Sequence, residues 1–324
     1  MRVLVTGAGG YTGNRLVRRF LADGHQVRAL VHKPRHAASL REAGARVVIG
    51  DIANRAVLAG IAVNIDLVYH LVGTLAGGNE GIRRVLVEGT NNLIAQCRTV
   101  NGRAPIIVFT SNAVVYGDGR GTMLDEQSPC TPTFPLGQIT LQAEEALRAA
   151  AVGPQAVSSI ILRCGAIYGP GRLSSDLIRR GSFRIIGSGR NWSSRIHVDD
   201  LISTLIAVGE SPCAGAVYCA VDHEPSPVND YYAHLARLLG APAPGHVSAW
   251  QARLRGNART MAARLRGRAP FVDANVVGLF TADLRLNGAR LRQELGLIPR
   301  FPDYRAGLEA ALAEEAAARV GNLP

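Results

Sequence analysis

Lysine is almost missing from this chain of 324 residues: of 36 basic residues, Lys33 is the single lysine. Chemistry that needs an ammonium group must use that residue or do without it. The five cysteines (Cys97, Cys130, Cys164, Cys213, Cys219) form no CxxC pair and are odd in number. That argues against a zinc module or a disulfide framework and fits reduced thiols in a cytoplasm. No apolar run reaches the ~18 residues of a membrane span. The Met-Arg start passes straight into Val3-Leu4-Val5 with no signal-peptide core, so a cytoplasmic location is expected. Internal repeats are lacking too.

What remains is an ordinary globular composition, 47% hydrophobic and 19% charged, with a formal charge of +11. A basic surface attracts nucleic acid, membrane or a phosphorylated cofactor. No helix-turn-helix or zinc module accompanies the charge, so nucleic acid is not expected as a partner.

Short apolar runs alternate with amphipathic stretches through the first half, as in parallel βαβ units. Strands are expected at Arg2–Thr6, Val27–Val31, Arg46–Ile49, Leu67–Leu71, Ile106–Thr110 and Ser159–Arg163. Tyr11–Ala22 and Arg83–Arg98 read as helices between them, and Tyr304–Val320 as an Ala-rich final helix. The fold class is α/β, a Rossmann-type doubly wound parallel sheet with a smaller interleaved C-terminal substrate lobe. The boundary is expected near residue 165, with later strands returning within about 190–222.

Thr6-Gly7-Ala8-Gly9-Gly10-Tyr11-Thr12-Gly13 joins the first strand to the first helix. Gly7 suits a tight turn, Gly10 lets backbone approach a pyrophosphate, and Gly13 lets helix and strand pack closely. The phosphates would lie on the helix start, against Tyr11 and Thr12. The plainer alternative is an ordinary βα turn. An NAD-preferring site places a carboxylate at the end of the second strand. Here Val31-His32-Lys33-Pro34-Arg35-His36 has none. His32, Lys33 and Arg35 suit a 2′-phosphate instead, which favours NADP(H) over NAD(H); the alternative is a solvated basic loop.

At this point the sequence resembles the extended short-chain dehydrogenase/reductase superfamily, in its NAD(P)-dependent epimerase/dehydratase group. The resemblance runs through Gly50-Asp51-Ile52, Val68-Tyr69-His70-Leu71, Val87-Glu88-Gly89-Thr90, Phe109–Gly117, Arg163, Ile167–Gly171 and Ile196-His197-Val198-Asp199-Asp200. It implies that Asp51 and Ile52 flank an adenine and that Leu71, Val72 and Gly73 line the cofactor groove. It also points to a homodimer.

The family's Ser, Tyr and Lys are replaced. The Ser position falls on Asn112, with Ser111 beside it; Leu136 stands for the Tyr and Thr140 for the Lys. No Tyr-xxx-Lys occurs anywhere in the chain. Leu86 stands where the family usually has an Asn near the active-site water. A positioned acid or base contributes ~10²–10⁴-fold, so ordinary ketoreduction needs a substitute. Tyr116, Tyr168, Asp118, Ser111, Thr140 and His197 are candidates. For Tyr116, Tyr168 and His197 packing is the plainer reading, and for Asp118 a turn in Gly117-Asp118-Gly119. The catalytic residue is left open, and no metal is expected.

Segments 187–200 and 283–299 resemble the 3β-hydroxysteroid dehydrogenase/isomerase-like branch, which implies a bulky lipophilic substrate. Residues 231–272 hold seven arginines and no acid. Trp250, Leu254, Met261 and Leu265 share one helical stripe, with Arg255, Arg259 and Arg266 opposite. Residues 250–268 thus suggest peripheral membrane contact, or else a lid helix. Three functions remain: an NADP(H) oxidoreductase or isomerase with an unusual proton relay, a non-redox enzyme on the same scaffold, and a non-catalytic cofactor-binding sensor or accessory subunit.

Overall fold

A computed structural model describes residues 1–98, 104–211, 213–254, 256 and 274–320. Its central sheet has seven strands: β1 (Arg2–Thr6), β2 (Gln26–Val31), β3 (Arg46–Ile49), β4 (Leu67–His70), β5 (Ile106–Asn112), β6 (Ser159–Cys164) and β7 (Val217–Ala220). The six strands expected from the sequence coincide with β1–β6 to within two residues. Their spatial order is β7-β6-β5-β4-β1-β2-β3. β3 through β5 run parallel, with Val3 opposite both Val27 and Leu67. The order reverses at β1, so the crevice beyond the carboxyl ends of β1 and β4 is where such a sheet binds ligands.

Apolar residues on both faces explain why these strands form a covered parallel sheet. Val3, Leu4, Val5, Ile107, Val108 and Phe109 are all fully buried. Helix α1 (Tyr11–Ala22) buries Gly13, Leu16, Val17 and Phe20, a spacing of three to four that lays one stripe on the sheet. After α2 (Ala37–Glu42) the chain builds α3 (Gly78–Arg83), a π-helical turn at Arg84–Glu88, and α4 (Gly89–Arg98). The helix expected over Arg83–Arg98 therefore contains a wider turn that its apolar pattern does not announce. Helix α5 spans Pro135–Ala150.

The chain divides into two compact units. The first comprises residues 1–112, 138–163 and 202–218, the second 113–137, 164–201 and 219–324. The second unit contains short strand pairs: Ala166–Tyr168 with Arg195–His197, Arg184–Ile186 with Gly245–Val247, Trp192–Ser193 with Ser226–Pro227, and Met123–Leu124 with Arg285–Leu286. Tyr168, Leu173, Ile178, Tyr231, Leu235 and Leu308 form a core there, to which the helix Tyr304–Val320 contributes. Trp250 and Leu254 are exposed, at 69% and 55%. Arg255, Arg259, Met261, Leu265 and Arg266, the rest of the proposed stripe, lie outside the described residues. No helix among the described residues is long and apolar enough to cross a membrane.

Candidate functional site

The glycine turn is shaped by backbone crowding. Gly7 has φ +72°, and a Cβ there would sit 2.6 Å from the Leu71 carbonyl oxygen, so the turn lies against the loop leaving β4. A Cβ on Gly13 would sit 2.3 Å from the Gly7 oxygen. Gly10 caps α1 in an extended conformation and accepts from the Asn14 amide at 3.0 Å. No side chain caps this helix start, and its first turn holds no acid. The amides of Thr12 and Gly13, in the first turn, belong to the helix's orphan donors, which attract anions.

His32, Lys33 and Arg35 are exposed at the end of β2 and form no ion pair among the described residues. Arg35 Nε donates to His36 Nε2 at 3.3 Å. His36 itself crowds Gly9, where a Cβ would sit 2.9 Å from the His36 Cβ. Sequence reasoning did not single out His36 as a neighbour of the glycine turn.

Asp51 is held on both oxygens. Oδ1 accepts from the Ala53 amide at 2.9 Å and Oδ2 from Arg84. Ile52 is buried against Gly89, where a Cβ would sit 2.7 Å from Ile52 Cγ2. Asn92 Nδ2 donates to the carbonyls of Ile52 and Ala53 at 3.2 and 3.0 Å, tying this loop to α4. Leu71 and Val72 are half-buried, and Gly73 faces open space.

His70 is the polar centre beneath the turn. Its ring is fully buried, stacked on Phe109 at 5.3 Å, and bonded to Thr6 Oγ1 at 2.8 Å and Thr90 Oγ1 at 2.9 Å. Thr90 spends its proton on the Leu86 carbonyl. It therefore accepts from His70 Nε2–H, and Nδ1 accepts from Thr6, which assigns the neutral tautomer. Burial pulls this imidazole down to about 3, so it stays neutral. Leu86 lies in the π-helical turn, so its carbonyl is already engaged by Thr90.

The positions expected to carry catalysis are mostly buried. Leu136 and Thr140 sit one turn apart on α5 at 7% and 3% exposure, and Asn112 ends β5 half-buried. One turn further, Glu144 is completely buried. Ser111 donates its hydroxyl to Glu144 Oε1, and Arg163 donates from Nε at 3.2 Å and Nη2 at 2.8 Å. Arg148 adds a bond at 2.7 Å. Ser111 is thus a strut between β5 and α5 rather than an open nucleophile or acid. Sequence reasoning missed Glu144, although its place four residues after Thr140 put it on the same helical face.

In the second unit Tyr116, buried, has its hydroxyl 3.3 Å from Cys219 Sγ. Tyr168 donates to the Asp303 carbonyl at 3.3 Å and stands edge-on to Tyr231 and His197. The His197 amide donates to Asp222 Oδ1 at 3.3 Å, and its ring packs on Phe301 at 4.1 Å. Burial pushes the Asp222 carboxyl up to about 8 and the Tyr168 phenol above its ordinary value. Arg195 reaches Ser226 Oγ at 2.7 Å with its guanidinium 4.2 Å over Tyr231. Asp118 Oδ1 accepts from the amides of Arg120 and Asp283 at 3.1 and 3.2 Å.

Known proteins resemble the whole chain. The sequence profile of the NAD dependent epimerase/dehydratase family matches residues 3–220. A 3-diazoavenalumate denitrifying reductase from a Streptomyces species is 32% identical over 325 residues, covering 95% of this chain and 99% of the relative. A 4-hydroxy-2-methyl-3-oxo-4-farnesyl-3,4-dihydroquinoline-1-oxide ketoreductase from Stigmatella aurantiaca is 28% identical, covering 100% and 99%. Among solved structures, the dTDP-glucose 4,6-dehydratase of Bacillus anthracis in complex with NAD superimposes with a TM-score of 0.77 at 17% identity, over 99% and 98% of the two chains, and so shares the fold. With the sheet order and the crowded glycine turn, these matches place the chain in the NAD dependent epimerase/dehydratase family, as an enzyme of the oxidoreductase type.

Proposed function

We propose that the protein is an NADP(H)-using reductase of that family, acting on a bulky, largely apolar substrate of the natural-product kind without a tyrosine–lysine proton relay. The observation that carries the reading is the glycine turn: no room for a Cβ at Gly7 or Gly13, and an uncapped helix start beside them. The residues fit a dinucleotide. Thr12 and Gly13 offer main-chain amides to a diphosphate that Gly10 and Tyr11 lie against, and His32, Lys33 and Arg35 offer charge to a 2′-phosphate. Asp51 and Ile52 flank the adenine, and Leu71, Val72 and Gly73 line the groove. When bound, the cofactor supplies or accepts hydride.

The proton side is where this chain departs from its family. Leu136 holds no proton, and Asn112 and Thr140 can hydrogen-bond a substrate oxygen but are poor bases. The substrate's proton then comes from water or from the substrate itself. The two relatives named for reductions of natural-product-like molecules support the redox reading. The buried Leu136 favours a second reading, a non-redox isomerisation, cyclisation or elimination on the same scaffold. Its mark is product formed without change at 340 nm.

The test is calorimetric titration with NADPH and NADH, after mass spectrometry has checked for cofactor carried through purification. NADPH binding at micromolar affinity or better, and tighter than NADH, is the expected result. If neither nucleotide binds, the reading falls.

A further inference from the structure

Gly9 is a glycine for reasons of space. Of Gly7, Gly9, Gly10 and Gly13, only Gly7 has a positive φ, so conformation does not demand glycine at position 9. What demands it is a side chain from beyond β2. A Cβ on Gly9 would sit 2.9, 3.0 and 3.2 Å from Cβ, Cγ and Cδ2 of His36. The missing side chain makes room for an imidazole, which lies half-buried against the turn.

The backbone that carries His36 is fixed as well. Pro34 opens a 3-10 turn over Pro34–His36, and the His36 amide donates to the Lys33 carbonyl at 3.1 Å. Proline sets its own φ before folding, which leaves this turn little freedom. Helix α2 follows directly and anchors the segment by burying Ala37 and Leu40. So held, the ring accepts at Nε2 from Arg35 Nε at 3.3 Å. An imidazole that accepts there carries its proton on Nδ1. Arg35 is exposed, and an exposed arginine is free to sample many rotamers. A tether at Nε restricts the guanidinium plane and leaves both Nη groups for a forked acceptor such as a phosphate.

We propose that His36 is a positioning residue for NADP(H): seated on Gly9, it holds Arg35 by Nε and so orients the guanidinium for the 2′-phosphate. The inference rests on the NADP(H) reading above and adds to it a residue that acts through Arg35. Charge alone attracts a phosphate from any direction, as the flexible Lys33 would. A guanidinium held in place before binding loses less freedom when the phosphate arrives, and that saving appears as affinity for NADPH alone. If His36 only packed on Gly9, its loss would disturb the turn and weaken NADPH and NADH alike.

The test is a double-variant cycle read by calorimetric titration of NADPH and NADH into the full chain. His36→Leu keeps an apolar body over Gly9 and removes the acceptor. It is expected to lower the ratio of NADPH to NADH affinity by about threefold to tenfold. In an Arg35→Ala background the same substitution should change that ratio by less than about twofold, because the group it positions is gone. His36→Gln, which offers Oε1 to Arg35, should keep most of the parent's ratio. Melting curves check that each variant is folded. Equal weakening of both nucleotides by His36→Leu, additive effects in the double variant, or loss of the ratio in His36→Gln would overturn the inference and leave the cofactor reading intact. A parent that binds neither nucleotide, or binds NADH as tightly as NADPH, would remove that reading and this inference together.

Discussion

Arg163 Nη2 lies 2.8 Å from Glu144 Oε2, and the two side chains are 3% and 0% exposed. This pair joins β6 to α5, and Ser111 links it to β5. Removing one partner strands the other charge, which costs about 3–5 kcal/mol. Glu144→Leu should lose that much by urea denaturation. The double variant Glu144→Leu/Arg163→Met should recover most of it, because a buried pair replaced by apolar groups is often neutral. Additive losses in the double variant would contradict this account.

Tyr69 Oη is buried without a hydrogen-bond partner among the described residues and abuts Gly209, where a Cβ would sit 2.0 Å away. Tyr69→Phe should therefore stabilise the protein by about 1 kcal/mol, since the orphan hydroxyl goes and its ring stays. Gly209→Ala should cost about 1–3 kcal/mol by overpacking. Paired denaturation curves decide both.

Asp222 is 4% exposed and faces Tyr168, the His197 amide, Asp200, Arg195 and Arg292. Burial raises its carboxyl from 3.8 to about 8, so the folded state holds a proton that the unfolded state gives up. Its contribution to stability is full below 3.8 and is lost as pH rises toward 8. His70 has the opposite sign, because its depressed imidazole destabilises the fold below 6.5. The two slopes oppose each other in mild acid, which leaves pH 6.5–8 as the window where Asp222 acts alone of the two. Stability should fall there by about 2 kcal/mol, and Asp222→Asn should remove that slope in melts across the window.

Gly13→Ala should abolish calorimetric NADPH binding, because its Cβ would collide with the Gly7 carbonyl and push the helix start off the turn. The circular dichroism spectrum should stay that of the parent. Unchanged affinity would mean that the turn does not hold the cofactor.

Lys33→Ala combined with Arg35→Ala should weaken NADPH by about tenfold to a hundredfold and leave NADH unchanged. Equal weakening of both nucleotides would place these side chains away from the 2′-phosphate.

Local chemistry was legible in the sequence and distant pairing was not. Thr6–Gly13 could be read because the spacing of Gly7, Gly10 and Gly13 is itself the pattern of a strand–turn–helix junction, contained within eight residues of chain. The apolar strands could be read because covered parallel strands leave no polar face. Glu144 escaped because its partners, Ser111 and Arg163, lie 33 and 19 residues away and meet it only once β5, β6 and α5 are side by side. Arg84 escaped as the partner of Asp51 for the same reason, at a separation of 33. Ser111 looked like a spare hydroxyl beside the active-site position until its proton was seen to be spent.

The π-helical turn at Arg84–Glu88 acts as a phase shifter. One additional residue advances everything beyond it by about 100° of rotation. The wide turn separates Ile82, the buried residue of α3, from the buried Gly89, Thr90 and Leu93 of α4. Beyond the turn, Thr90 donates to the Leu86 carbonyl and Gly89 packs against Ile52. Deleting a single residue within 84–88 would re-phase α4 as a whole, so this stretch sets the rotational alignment of the helix behind the Asp51-Ile52 loop.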